Sequence, residues 1–120
     1  MKYVLAFLLM AGAASAQGMR DGDVALSDAD MQAQVVGTTH TFFDGGRSFF
    51  SITDDYSYTY PDGGIAYGRY ELRGGGVVCT FFIHGFERCD TYVRSGDRLV
   101  LINGEGVRFP VKDVLGGGAI

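Results

Sequence analysis

The sequence predicts an all-β domain: an antiparallel meander of about eight short strands that forms a curved sheet or a small barrel, with one short N-terminal helix. From residue 38 onward, glycine, aspartate and asparagine recur about every eight to ten residues. The segments between them are rich in Phe, Tyr, Val, Thr and Ile, which favour strands. Such regular spacing is typical of an antiparallel meander, and closure into a barrel would remove its exposed edges.

The first sixteen residues have the three parts of a cleavable signal peptide. Lys2 supplies the positive charge, residues 3–14 are apolar, and an A-x-A motif ends at Ala16, before Gln17. A membrane anchor is the alternative, but about twenty apolar residues are needed to cross a bilayer. We therefore expect cleavage between Ala16 and Gln17 and a periplasmic protein, with extracellular release as the alternative.

The charge of the chain argues against a nucleic-acid partner. The full sequence has 10 basic and 14 acidic residues, and cleavage after Ala16 would remove one cation, changing the formal net charge from −4 to −5. Phosphate binding needs a basic surface, and the arginines here form no run. The remaining chain of about 104 residues is the size of one domain and has no segment that predicts a transmembrane helix.

Residues 17–37 are predicted to be a loose N-terminal segment that contains one short helix. Ser27 can act as the N-cap by accepting a hydrogen bond from the amide of Asp30, and Gly37 is a usual stop residue. Helical spacing places three apolar residues near one face: Ala29, Ala33 and Val36.

The β-domain is predicted to span residues 38–112, followed by a flexible C-terminal tail at 113–120. Turns rich in glycine, aspartate and asparagine separate its strands. The predicted strands are Thr39–Phe43, Arg47–Ile52, Tyr56–Tyr60, Ile65–Leu72, Val77–Phe82, Cys89–Arg94, Arg98–Ile102 and Val107–Val111.

Cys79 and Cys89, the two cysteines of the chain, are predicted to form a disulfide. An even cysteine count in a small exported domain usually indicates a bridge. If residues 83–85 form a three-residue hairpin loop with Gly85 in the left-handed conformation, Phe82 faces Phe86 and Cys79 lies directly opposite Cys89.

Metal ligation and free thiols are the alternatives for this pair. Cys79, His84 and Cys89 form a symmetrical C-x4-H-x4-C pattern. A structural zinc site needs four ligands. In the hairpin, however, His84 would lie at the tip, several residues from the cysteines, so the sequence predicts no metal site here.

No catalytic constellation is recognisable, and we expect a non-enzymatic protein without a cofactor. His40 and His84 lie in no nucleophile motif, so we expect surface or structural roles for both. The glycines at 74–76 have no following helix to complete a phosphate-binding loop. The acidic residues that could serve acid–base chemistry fall in or beside turns, where aspartate usually bonds the local backbone: Asp54, Asp55, Asp62, Glu87 and Asp90. Calcium binding by Asp54, Asp55 and Asp62 stays open as an alternative.

The aromatic residues suggest a recognition surface. Tyr56, Tyr58 and Tyr60 alternate with small hydroxyl residues and therefore share one face of a strand. Most aromatic residues in such a domain belong to the core. We interpret these three tyrosines, with Arg69 nearby, as a candidate binding site.

The chain resembles a group of small, uncharacterised periplasmic proteins of Gram-negative bacteria. The resemblance covers roughly residues 37–111 and rests on short motifs: Gly68-Arg69-Tyr70, Val78-Cys79, Arg88-Cys89-Asp90 and Gly106-Val107-Arg108-Phe109-Pro110. It implies a periplasmic all-β domain with one disulfide.

The sequence therefore favours a periplasmic β-domain that binds a protein or a small envelope ligand. One alternative is an inhibitor of a cell-wall hydrolase, resembling lysozyme inhibitors. A second is a barrel that carries a small ligand in an internal cavity, which eight strands can enclose. A third is a small hydrolase, which would require Asp54, Asp55 and Asp90 to converge in a cleft.

Overall fold

A computed structural model describes residues 18–116 of the chain. In this part of the chain there are nine strands and one helix, α1 (Asp28–Gln34). The strands are β1 (Asp23–Ala25), β2 (Thr38–Phe42), β3 (Arg47–Phe50), β4 (Asp55–Thr59), β5 (Ile65–Gly74), β6 (Val77–Phe82), β7 (Glu87–Ser95), β8 (Arg98–Ile102) and β9 (Arg108–Gly116).

Strands β2 to β9 form a closed, eight-stranded antiparallel barrel. Each strand pairs with the next along the chain, and β9 pairs back with β2 to close the barrel. The predicted all-β fold is confirmed. The helix is not the N-terminal element, however, because β1 precedes it. Strand β1 pairs with the C-terminal part of β7, next to the residues of β7 that pair with β6.

The interior of the barrel is packed with aromatic rings. The ring of Phe50 lies 5.1 Å from those of Tyr56 and Tyr70 and 6.5 Å from that of Tyr92, measured between centroids. All four residues are at most 2 % exposed. The middle of the barrel is therefore filled by side chains.

Helix α1 covers one end of this core. The side-chain oxygen of Ser27 accepts a hydrogen bond from the amide of Asp30, so the predicted N-cap is confirmed. The buried face was predicted wrongly: Met31 and Val35 enter the core, whereas Ala29 and Ala33 are exposed. Met31 and Val35 are four residues apart and bury more apolar surface than the two alanines would.

The prediction of a loose segment is wrong for residues 18–26. Val93, Val100 and Ile102 form an apolar cluster of their own, against which Met19 packs. Leaving this cluster in water would be unfavourable, so the N-terminal segment covers it.

The predicted flexible tail is wrong for residues 113–116. Strand β9 continues to Gly116, which pairs with Thr38 at the start of β2. A register shift between Thr41 and Phe42 accompanies this pairing. Residues 117–120 lie outside the described residues.

The hairpin of β6 and β7 confirms the predicted register. Cys79 pairs directly with Cys89, and the two residues form a disulfide. The amide of Phe82 donates to the carbonyl of Phe86, and Gly85 has a φ of 101°. This left-handed conformation is the one that glycine adopts readily.

Candidate functional site at the barrel mouth

Four hairpin turns surround the end of the barrel opposite α1, which we call the mouth. They connect β2 to β3, β4 to β5, β6 to β7 and β8 to β9. A cavity of about 130 Å³ opens between them. Its walls carry both apolar and polar side chains: Phe42, Asp44, Tyr58, Arg88, Asp90, Leu101, Asn103 and Phe109.

Arg88 and Asp90 form an ion pair in the wall of this cavity. Alternation along β7 turns both side chains toward the interior. Nε of Arg88 lies 3.1 Å from Oδ2 of Asp90 but makes no well-directed hydrogen bond. Asp90 is 3 % exposed, whereas the side chain of Arg88 is 34 % exposed. Burial raises the pKa of Asp90, an effect that the charge of Arg88 partly opposes.

Arg88 is also held from the interior side. Its Nη2 donates a hydrogen bond of 3.2 Å to the hydroxyl of Tyr56, which in turn lies 2.9 Å from Oγ of Ser48. The guanidinium lies 5.8 Å from the ring of Tyr58 and 5.7 Å from that of Phe82. These contacts fix the Arg88 side chain within a polar layer above the apolar core.

Tyr58 forms an aromatic wall of the mouth. Its ring meets that of Tyr60 edge to face, with centroids 4.9 Å apart. Its hydroxyl lies so close to Gly46 that a Cβ at that position would collide with it. Burial, together with the nearby charge of Asp44, raises the pKa of Tyr58, so the phenol is neutral near pH 7.

The turns around the mouth carry an excess of negative charge. Asp44 and Asp62 accept hydrogen bonds from the amides of Gly46 and Gly64 in their own turns. Glu87 lies at the start of β7, and the turn between β8 and β9 carries another carboxylate, Glu105.

Exposed apolar side chains lie in the same turns or beside them. These are Tyr60, 49 % exposed, Ile83, 80 %, Phe86, 56 %, Val107, 47 %, and Phe109, 37 %. Apolar side chains concentrated at one end of a molecule often mark a protein interaction site.

The structure separates the four residues of the predicted binding site. Tyr56 is buried in the interior, Tyr58 lines the cavity, and Tyr60 lies exposed beside it. Arg69 lies on the outer wall, where it pairs with Glu71 and its guanidinium lies 4.5 Å from the Phe81 ring.

Of the residues that line the cavity, only Tyr58 was predicted as part of a binding site, and the others were missed: Phe42, Asp44, Arg88, Asp90, Leu101, Asn103 and Phe109. The alternation of polar and apolar residues along β7 places Arg88 and Asp90 on the same side as Tyr92, and this was the available signal. Only closure of the barrel brings them opposite Tyr58.

The carboxylates proposed for calcium or acid–base chemistry do not converge. Asp54, between β3 and β4, and Asp55, the first residue of β4, lie exposed at the helix end, whereas Asp90 lines the mouth. Within residues 18–116, no group of three or more His, Cys, Asp or Glu side chains is arranged to hold a metal ion.

The two histidines lie in different environments. His40 is fully buried and lies 2.7 Å from both the Tyr92 hydroxyl and the Gln34 carbonyl. His84 is exposed at the tip of the hairpin, where its Nδ1 accepts a hydrogen bond from the amide of Phe86. Neither histidine lines the mouth cavity.

Two further sequence predictions concern export. The cleavage site between Ala16 and Gln17 lies outside the described residues. Among residues 18–116, the structure contains no helix of the length and apolarity needed to cross a membrane.

The chain has no match among protein-family models, curated proteins or solved structures.

Proposed function

We propose that the protein is an exported, non-enzymatic binding module whose barrel mouth holds a cationic side chain of a protein partner. One observation carries this proposal. The carboxylates of Asp44 and Asp90 line a cavity that is otherwise walled largely by aromatic and apolar side chains. A cation is attracted by carboxylates and by the faces of aromatic rings.

The charge balance favours a cation over an anion. Arg88 compensates Asp90 within the cavity wall, which leaves the carboxylate of Asp44 in excess. Asp62 and Glu87 add negative charge at the surrounding turns and form no ion pair within the described residues. Such a field steers a basic partner toward the mouth.

The size of the cavity favours one side chain over a whole small molecule. Pockets for drug-sized ligands have volumes of roughly 300–1,000 Å³, whereas this cavity has about 130 Å³. The rings of Phe50, Tyr56, Tyr70 and Tyr92 fill the barrel below it. The geometry thus favours a protein partner at the mouth over a ligand carried inside the barrel.

Two features support export. The disulfide between Cys79 and Cys89 is typical of oxidising compartments. The first sixteen residues have the pattern of a signal peptide. We place the protein in the periplasm, with the extracellular space as the alternative.

The composition of the cavity supports a non-enzymatic role. Among the described residues, its walls contain no histidine, serine or cysteine, so no serine or cysteine nucleophile with a histidine base is found there. The buried carboxylate of Asp90 is engaged by Arg88.

An NMR titration with three capped amino acids tests the proposal. Acetyl-arginine amide and acetyl-lysine amide should cause saturable shifts of mouth amides at millimolar concentration, whereas acetyl-glutamine amide should not. Asp44→Lys should abolish these shifts, and Asp97→Lys, at the other end of the barrel, should preserve them. Equal binding of the neutral probe, or cation binding that survives Asp44→Lys, would overturn the proposal.

The hydrolase-inhibitor alternative requires that the partner be an enzyme. Slower lysozyme turnover with the wild-type protein, and normal turnover with Asp44→Lys, would identify a hydrolase as the occupant of the mouth. If several lysozyme types keep their full rate, this alternative is eliminated.

A further inference from the structure

A second groove lies on the outer wall, and it shares no lining residue with the mouth cavity. It runs between the β7–β8 hairpin and the C-terminal half of β9, and it has a volume of about 400 Å³. The groove is lined by Gln34, Phe43, Arg94, Asp97, Arg98, Leu99, Val111, Lys112 and Val114. We call this feature the basic groove.

The basic groove concentrates positive charge in an acidic protein. Arg94, Arg98 and Lys112 line it with one carboxylate, that of Asp97, although the whole chain has a formal net charge of −4. The side chains of these three cations make no ion pair or hydrogen bond within residues 18–116. Their charges are therefore available to an anionic partner.

One side of the groove is a strand with a free edge. Strand β9 pairs with β8 only from Arg108 to Pro110. From Val111 to Gly116 it pairs with β2 alone among the described residues. An unpaired edge of this kind presents backbone donors and acceptors that can pair with another extended chain.

Apolar side chains flank this edge. Phe43 is 61 % exposed and Val114 is 39 % exposed. The guanidinium of Arg98 lies 5.8 Å from the Phe43 ring, which limits where its charge can be placed. The groove thus offers apolar contacts and positive charge side by side.

We propose that the basic groove binds an extended acidic peptide segment of a protein, which adds as a strand to the free edge of β9. Backbone hydrogen bonds to β9 would give affinity, and Arg94, Arg98 and Lys112 would select acidic side chains. A groove bordered by a strand edge favours a peptide over a flat membrane surface. This site is separate from the mouth and does not depend on the function proposed there.

The test uses a capped hexapeptide of alternating valine and glutamate, followed by NMR. We expect saturable shifts of the amides of residues 94–98 and 111–116, weakened by salt. The double variant Arg98→Gln/Lys112→Gln should bind about tenfold more weakly. Arg69→Gln/Arg73→Gln removes the same charge from the outer face of β5 and should bind normally.

Two control peptides separate the parts of the proposal. Lysine in place of glutamate should abolish binding, and proline in place of the central valine should abolish it because proline cannot donate to the ladder. Equal binding of the lysine peptide would overturn the charge argument, and equal binding of the proline peptide would overturn strand addition.

The same experiment tests other anionic ligands of the basic groove. If inorganic phosphate or phosphatidylglycerol vesicles displace the peptide and cause the same shifts, the assignment to a peptide is wrong. Asp90→Asn, which alters the mouth cavity at a residue that does not line the basic groove, should leave peptide binding unchanged, so failure of the mouth proposal and failure of this one are distinguishable.

Discussion

Asp23 and Arg108 are 85 residues apart in the sequence and form a buried ion pair that ties the N-terminal segment to β9. Nη1 of Arg108 donates to Oδ2 of Asp23 over 2.6 Å, and the Asp23 side chain is 0 % exposed. Hydrogen bonding to Arg108 is the main reason that the pKa of Asp23 is lowered to about 2. The same guanidinium donates to the carbonyl of Gly18.

Asp23→Asn should lower the free energy of unfolding by about 2 kcal/mol, since it removes a charge-assisted hydrogen bond. The double variant with Arg108→Gln should lose less than the sum of the two single changes. Glu71→Gln, in an exposed pair, should change stability by less than about 0.5 kcal/mol. Urea unfolding at pH 7 measures the stability of the two single variants, the double variant and the control. Strict additivity of the two single changes would contradict a direct interaction between Asp23 and Arg108.

The Asp23 pair also predicts a dependence on pH. Because the folded pKa is about 2 and the unfolded value 3.8, its contribution is complete above pH 3.8 and is lost as the pH falls toward 2. The stability of Asp23→Asn should therefore fall less steeply than that of the wild type over this range. Parallel curves would contradict the assignment.

The buried His40 should cause a second loss of folding stability, in weak acid. Its Nε2 faces the carbonyl of Gln34 and must donate, so Nδ1 accepts from Tyr92. Burial lowers the pKa of His40, and the bond to Gln34 opposes this only in part. The unfolded chain takes up a proton near pH 6.5 while the folded protein does not.

We therefore expect stability to fall by about 1 kcal/mol between pH 6.5 and pH 5. Urea unfolding across this range measures the loss, and His84→Gln should retain it because His84 is exposed. An NMR titration in which the His40 ring protonates at or above pH 6.5 would contradict the prediction.

The disulfide predicts a stability that depends on the redox state. Replacing Cys79 and Cys89 together with alanine should lower the free energy of unfolding by about 2–3 kcal/mol, because the closed loop is short. Reduction should raise the mass by about 2 Da. A protein equally stable after reduction would show that the bridge adds nothing to the β6–β7 hairpin.

The sequence was sufficient to predict the features that depend only on neighbouring residues. The register of Cys79 opposite Cys89 follows from a three-residue loop ending at Gly85, so it could be predicted without the rest of the fold. The same holds for the cap at Ser27, where three neighbouring residues decide the geometry.

The missed features depend on contacts distant in sequence. Strand β1 looks polar and aperiodic, and it is held by Arg108 and by its pairing with β7. The pairing of Arg88 with Asp90 was hidden because aspartate near a turn usually bonds its own backbone. No local pattern shows that closure brings these residues opposite Tyr58.

Gly68 lies where the neighbouring strand leaves no room for a side chain. A Cβ there would collide with the backbone carbonyl of Phe81 on the neighbouring strand. Because backbone cannot move aside easily, Gly68→Ala should lower the free energy of unfolding by about 1–3 kcal/mol. Gly104→Ala is the control, since its nearest atom lies 3.9 Å away. Equal stability of the two variants in urea would contradict this close approach.

The contribution of Asp90 to stability should change with pH in the opposite direction from that of Asp23. Burial raises its folded pKa above the unfolded value of 3.8, so the folded state binds a proton more readily and gains stability as the pH falls through the folded pKa toward 3.8. Asp90→Asn should lose this gain, because the amide takes up no proton in this pH range. The variant also leaves the Arg88 cation uncompensated in the mouth. Its affinity for acetyl-arginine amide should therefore fall about tenfold or more. Urea unfolding from pH 7 to pH 4, with the NMR titration at pH 7, measures both effects, and unchanged cation binding would show that Asp90 takes no part in the site.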